Sequence, residues 1–397
     1  MDSLMNDHMK LQSLALFRGL LCDPVVQSLD ALLRCPTQDT AEQVARYGDF
    51  AARLFAQGGN LTDFLLARVL EDENIYMLSR ARRCAVDDTM ERCVDEELAV
   101  LQTIAALTPE TVRAHIAYEG YLPVWNNRNT DFTAVYHERI AQIGAYGYGM
   151  FAKYHTFIIK SGVLTPVQSP DATRLSQLSG YERERQQVID NTLALLKGKP
   201  AANVLLRGDA GTGKSSTVKA VANEYKDRGL RLIEVTKKQL HEIPELMDSL
   251  SLNPLKFILF IDDLSFAQDD DDFGALKAIL EGSVSAKSGN LVIYATSNRR
   301  HLVKEQFSDR EGDDIHRNDT IQEQISLSER FGLRVNFYKP DKALYLNIVR
   351  DLAAQYGVQL AGEELDAAAE RYALARSGRS PRIARQFIES VKAQEDE

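Results

Sequence analysis

The run Gly208, Asp209, Ala210, Gly211, Thr212, Gly213, Lys214, Ser215 combines backbone freedom, one ammonium and one hydroxyl in eight positions. That combination suits a polyphosphate. Glycines let consecutive N–H groups converge on one concavity, and a helix opening directly after them adds partial positive charge. Lys214 is then spaced to reach the β- and γ-phosphates, and the Ser215 hydroxyl to ligate Mg²⁺, with Ser216 beside it in the opening turn. The pattern is G-x-x-x-x-G-K-[ST], which requires a strand before it and a helix after it. Val204-Leu-Leu-Arg207 and Ser215 to Tyr225 supply both expectations.

A second group carries the complementary charge. Phe257-Ile-Leu-Phe-Ile261 is an apolar run that ends in Asp262 and Asp263, 48 residues after Lys214. A buried strand of this kind delivers its last residues to the carboxyl edge of a sheet, where open α/β folds bind ligands. Asp262 is the candidate magnesium partner through water, and Asp263 the group that orients an attacking water. Leu291 to Thr296 ends at Ser297 and Asn298, a polar pair fit to face the same water. Arg330, in Ser328-Glu-Arg-Phe-Gly332, precedes a last strand, and Arg382 opens the final helix after Ser380-Pro381. Singly, each arginine reads as a surface ion pair.

These groups need a scaffold that brings strand ends together. Five β-rich runs, 204–207, 230–235, 257–261, 291–296 and 333–337, alternate with helical stretches, the pattern of a parallel sheet covered on both faces. After Pro340 three helices follow, the first from Asp341 to Gly357, the second over 364–376 and the third from Ser380-Pro381. Residues 4 to about 161 read as mostly helical, with Asp23-Pro24 and Thr108-Pro109 as helix starts. Gly58, Gly59 and Asn60 break one helix, and Thr62 is placed to cap the next. The Pro- and Ser-rich segment 164–179 reads as an extended linker. The expected organisation is a helical N-terminal domain (1–163), a linker (164–179), an α/β core (180–339) and a helical lid (340–397).

Composition narrows the function classes. The 397 residues carry a net charge of −10, without the basic excess of a protein that holds nucleic acid mainly by counterion release. Cys22, Cys35, Cys84 and Cys93 form no Cys-x-x-Cys pair and read as buried small hydrophobes in a reducing compartment. No basic, apolar leader opens the chain and no stretch reaches 18 apolar residues, which points to a cytoplasmic protein without a membrane span. Gly144 to Gly149 lacks a following Lys-Ser and reads as helix packing or a hinge; Asp269 to Asp272 reads as a solvated loop. The charged stretch 304–318 reads as a mobile surface loop, with partner contact as the alternative, and Arg299, Arg300 and His301 as contacts to a neighbouring subunit or phosphate, or as ion-paired residues.

Taken in order, the motifs resemble the AAA+ ATPase superfamily over roughly 175–395. The core most resembles a bacterial group of AAA+ ATP-binding proteins of uncharacterised function, through "IDDLSF", "LKAILEGS" and "YATSNRRHLV". The resemblance implies a five-stranded P-loop core with a helical lid, binding ATP with Mg²⁺. It assigns Lys214 and Ser215 to Walker A, Asp262 and Asp263 to Walker B, and Asn298 to sensor 1. It further makes Arg330 an arginine finger acting on a neighbouring subunit, Arg382 the sensor 2 arginine, and Leu178-Ser-Gly-Tyr181-Glu182 the segment that packs on the adenine, with Tyr181 or its neighbours touching the base. A finger acting in trans implies a ring or spiral oligomer. "SERFGLRV" and "SPRIARQF" look like the endings of Holliday-junction branch-migration motors, and the Asp-Asp pair is similar to that of bacterial replication initiators and helicase loaders. Most AAA+ enzymes carry Glu at the position of Asp263, and residues 236–256 lack the aromatic–hydrophobic–Gly loop of threading unfoldases. The leading expectation is an ATPase that remodels or loads a protein partner recruited by the N-terminal domain. The alternatives are a nucleic-acid-handling ATPase and a slowly hydrolysing nucleotide-dependent scaffold.

Overall fold

The structure, a computed structural model, describes residues 3–35, 39–265, 271–281, 289–298, 329–376 and 378–395. Asp269, Asp270, Arg299, Arg300, His301, the stretch 304–318 and Ser328 lie outside the described residues. Two compact units divide the chain, Met1–Lys153 and Tyr154–Glu397.

The first unit is helical because short polar side chains start its helices. Asp23, Asp39, Asn60, Asn74, Asp87, Thr108 and Asp131 each accept a backbone N–H two or three residues on, which satisfies a donor the helix itself leaves open. The cap of Leu61–Glu71 is Asn60 rather than Thr62: Thr62 turns inward, and its hydroxyl donates to the Ala105 carbonyl at 3.0 Å. Trp125 anchors the core, its indole N–H on the Leu107 carbonyl and its ring edge-on to Phe50 at 5.0 Å. Gly147 and Gly149 take positive φ between the short helices Ile143–Tyr146 and Met150–Lys153. Cys22 and Cys84 are exposed, against the expectation of four buried thiols; Cys35 is buried and Cys93 half-buried, all free.

The second unit is a sheet of seven strands: β1 (Thr156–Lys160), β2 (Val163–Pro166), β3 (Val204–Gly208), β4 (Leu230–Val235), β5 (Lys256–Ile261), β6 (Leu291–Ser297) and β7 (Leu333–Phe337). Their order is β2-β1-β4-β5-β6-β3-β7, parallel throughout except for β2 against β1. β3 to β7 are the five expected strands. The remaining two correct the domain boundary: the β1–β2 hairpin extends the sheet beyond β4, so the sheet unit begins at Tyr154 and takes in the end of the expected helical domain and the start of the expected linker. The rest of that linker is fastened too, since the Asn223 amide donates to the Asp171 and Thr173 carbonyls, both at 2.8 Å.

β5 is buried from Phe257 to Ile261, as a central strand covered on both faces must be. Three helices, Lys342–Tyr356, Gly362–Leu374 and Pro381–Glu395, close the unit. Asp341 caps the first, accepting from Leu344 N at 2.8 Å, and Gly357 ends it at φ 65°. Tyr345, Ile348 and Phe387 share a core with Tyr181 and Phe337. Asp271 and Asp272 open the helix Asp271–Glu281 rather than lying in a loop. Among the described residues no helix is long and apolar enough to cross a membrane.

Candidate nucleotide-binding site

The strand order decides which residues meet. β6 lies between β5 and β3, so its last residues separate the acid pair leaving β5 from the loop leaving β3. The loop starts under tight constraint. Gly208 sits at φ 140°, and a Cβ there would meet the Phe337 carbonyl oxygen at 1.9 Å, so only glycine fits. Gly213, at φ 93°, precedes the helix Lys214–Tyr225 and leaves its opening N–H groups facing the loop. Lys214 is buried and bends back, its Nζ donating to the Gly208 and Asp209 carbonyls at 2.9 and 2.7 Å. Burial lowers its pKa, while the carboxylates of Asp209, Asp262 and Asp263 oppose that shift. Thr212 donates to the Asp209 carbonyl at 2.8 Å; Ala210 is exposed at the loop's tip, and Ser216 is half-buried in the helix's first turn.

A chain of side-chain bonds crosses the strand ends. Ser215 Oγ donates to Asp262 Oδ1 at 2.6 Å, and Thr296 Oγ1 donates to the same oxygen at 2.5 Å. The Thr296 hydroxyl also accepts from Asp263 N at 2.9 Å, where the backbone turns through φ 53°. Asn298 Nδ2 donates to Asp263 Oδ1 at 2.9 Å. Asp262, Asp263 and Asn298 are exposed at the sheet's edge. Thr296 was not among the residues expected here: a β-branched residue late in a strand carries no signal beyond strand propensity. Its buried hydroxyl nevertheless joins the two aspartates.

The lid reaches the same loop. Arg382 N donates to the Gly211 carbonyl at 3.1 Å, and the Arg382 charge is felt at Lys214. Tyr181 is buried beside Phe337, ring centroids 5.3 Å apart, and its hydroxyl donates to the Tyr338 carbonyl at 2.6 Å; burial raises its pKa. With Leu178, Arg185, Ile348 and Leu352, these rings line a pocket that reaches Thr212 and Gly213. Of these, Arg185, Ile348 and Leu352 carried no motif of their own.

Arg330 stands apart. β7 pairs with β3 from Leu333 beside Val204 to Phe337 beside Gly208, so Arg330 lies at the amino end of these strands and the loop at the carboxyl end. It borders a separate cavity with Lys199, Pro200, Met247 and Leu280. The structure therefore gathers Tyr181, the loop 208–216, Asp262, Asp263, Asn298 and Arg382 at one edge and leaves Arg330 at the opposite one.

A glycine loop between a central parallel strand and a helix, acidic residues two strands away and a C-terminal helical lid define a P-loop domain of the AAA+ type. The chain belongs to the family described as "Protein of unknown function (DUF815)", which matches residues 151–395. Among solved structures, it is similar to the Thermotoga maritima RuvB Holliday junction branch migration motor, at 16% identity and a TM-score of 0.37, over 55% of this chain and 63% of that one. A single-substitution variant of that motor gives 16% identity and a TM-score of 0.38, over 55% of this chain and 64% of the other. The chain thus spans less than two thirds of the length of these motors. No curated protein matches it.

Proposed function

We propose that the chain binds ATP with Mg²⁺ in the loop 208–216, hydrolyses it within a ring or spiral oligomer, and uses the cycle to remodel or load a protein partner engaged by the helical unit. The bonded series Ser215–Asp262–Thr296–Asp263–Asn298 carries this reading. A hydroxyl and a carboxylate 2.6 Å apart form a hard-oxygen pair suited to magnesium, which keeps several waters of its own. Bound there, the ion supplies charge neutralisation to the phosphates. Lys214 exchanges two backbone carbonyls for phosphate oxygens, a stronger charge-assisted pairing.

Asp263 orients and polarises the attacking water, and Asn298 holds that carboxylate in one direction. Arg382 joins the phosphate charge from the lid. Arg330, at the far edge of its own sheet, acts on nucleotide held by a neighbouring subunit, where it stabilises charge on the transferring phosphoryl group. Tyr181 and its pocket receive the base. A protein partner is favoured over nucleic acid by the net charge of −10.

Calorimetric titration with Mg-ATP, paired with turnover assays, tests the reading. Lys214→Ala is expected to weaken binding about 100-fold, the scale of losing charged hydrogen bonds. Equal affinity in both proteins, or none in either, overturns it.

A further inference from the structure

Asp209 makes more connections than its place in a glycine loop requires. Its backbone N–H donates to the Phe337 carbonyl at 3.1 Å, and its carboxylate Oδ2 accepts from Lys339 N at 2.8 Å. Its own carbonyl accepts from both Thr212 and Lys214. Residues 338–341 join β7 to the first lid helix, so the loop grips the strand end and the hinge through one residue. On the other side of the hinge, Tyr181 holds the Tyr338 carbonyl. The Lys339 side chain runs beside Gly378, just before the segment in which Arg382 N bonds to Gly211.

We infer that Asp209 is a positioning residue that couples the state of the phosphate loop to the angle of the lid. Two ties hold the loop: Asp209, whose carbonyl Lys214 occupies, to Lys339 in the hinge, and Gly211, two residues on, to Arg382 in the lid. When the Lys214 ammonium leaves the Gly208 and Asp209 carbonyls for phosphate, the peptide units on which both ties depend lose their inner partner and shift. The carboxylate carries that shift to Lys339 N and so to the helix Lys342–Tyr356. Asparagine preserves the coupling, since its amide oxygen accepts the same N–H; alanine abolishes it. This inference rests on the nucleotide-binding reading above.

Hydrogen exchange of lid amides 342–356, with and without saturating Mg-ATP, tests it, with nucleotide binding titrated on the same samples. In the unmodified chain, bound nucleotide is expected to change lid exchange about ten-fold, within the usual range of coupling between sites. Asp209→Ala loses that response and Asp209→Asn keeps it. Lys339→Pro, which deletes the donor and leaves the loop sequence intact, loses it as well, and it decides the matter if the alanine variant no longer binds nucleotide. A full lid response in nucleotide-bound Asp209→Ala or Lys339→Pro overturns the coupling alone. Failure of the unmodified chain to bind nucleotide overturns the underlying reading and the coupling together.

Discussion

The two units place their most connected polar side chains in different settings. In the helical unit, side chains that tie distant segments together bond to backbone. The Glu97 carboxylate accepts from the N–H groups of Ala15, Leu16 and Phe17, Trp125 donates to the Leu107 carbonyl, and Asn127 to those of Ala105 and Leu107. Every such bond fixes one stretch of chain against another and is complete in itself. In the sheet unit, Ser215, Asp262, Thr296, Asp263 and Asn298 bond mainly to one another at an exposed edge. Carboxylates have about four lone-pair sites each, so these retain acceptors for a ligand. Polar groups that bond to backbone hold a fold; polar groups that bond to one another at a rim are available for chemistry.

The largest effect is expected where this contrast extends across the sheet. Arg330→Ala should leave nucleotide affinity unchanged and reduce turnover about 10³-fold, the lower range for arginine fingers. Assembling it with Lys214→Ala subunits should restore part of the activity, since each variant supplies what the other lacks. Unchanged turnover, or no recovery on mixing, would confine the chemistry to the carboxyl edge of a single subunit.

Thr296→Val sharpens the comparison within that edge. Valine keeps the shape of the strand residue but removes the donor to Asp262 and the acceptor for Asp263 N. Losing hydrogen bonds to a charged group lowers turnover by about ten-fold or more. Loss of thermal stability with turnover intact would make Thr296 a fold residue of the kind found in the helical unit.

The unequal legibility of the chain has the same physical source. Phosphate geometry prescribes glycines, a lysine and a hydroxyl at set spacings, so the loop 208–215 is evident from residue types alone. Asp262, Asp263 and Asn298 are legible once the apolar strands before them are found. Thr296 is not, because its hydroxyl acts only through the adjacency of β5 and β6. Asp209 was visible as a loop residue but not as a hinge contact, since Lys339 approaches it from 130 positions away. The β1 run Thr156–Lys160 is short and follows a Gly- and Tyr-rich stretch, and only its pairing with β2 and β4 makes it a strand. Capping residues marked the helical unit as helical. Between Asn60 and Thr62, however, packing decided, since Thr62 finds the Ala105 carbonyl inside.

Glu97→Ala probes the other side of the comparison. Removing the carboxylate strands the N–H groups of Ala15, Leu16 and the buried Phe17, a cost of about 3 kcal/mol. The single tryptophan, Trp125, lies in the helical unit, so its fluorescence during denaturation reports on that unit directly. The unfolding midpoint followed at Trp125 should fall while ATP turnover per folded molecule is unaltered. A parallel loss of turnover would show that the helical unit's internal bonds also serve the site.

The smallest effect is a difference in alkaline stability. Tyr47, donating to the Pro123 carbonyl at 2.7 Å, and Tyr345, donating to that of Ala369 at 3.2 Å, are both pushed up to about 12 by burial. A tyrosine whose folded pKa exceeds its unfolded value of about 10 stabilises the fold fully below that pH. That contribution is lost as pH rises through 12, because the unfolded chain releases its proton first. Lys214, whose pKa burial lowers, works in the opposite sense, since between its folded and unfolded values the unfolded chain binds the extra proton. Tyr47→Phe costs about 1 kcal/mol at neutral pH through the lost hydrogen bond. It should also flatten the decline followed at Trp125, 5.3 Å from the Tyr47 ring, between pH 10 and 12. Tyr345→Phe should leave the Trp125 curve unchanged and flatten only the loss of lid hydrogen-exchange protection. If both substitutions move both curves equally, the two units unfold as one cooperative body, and the difference between fold-holding and chemistry-bearing polar groups does not extend to their stability.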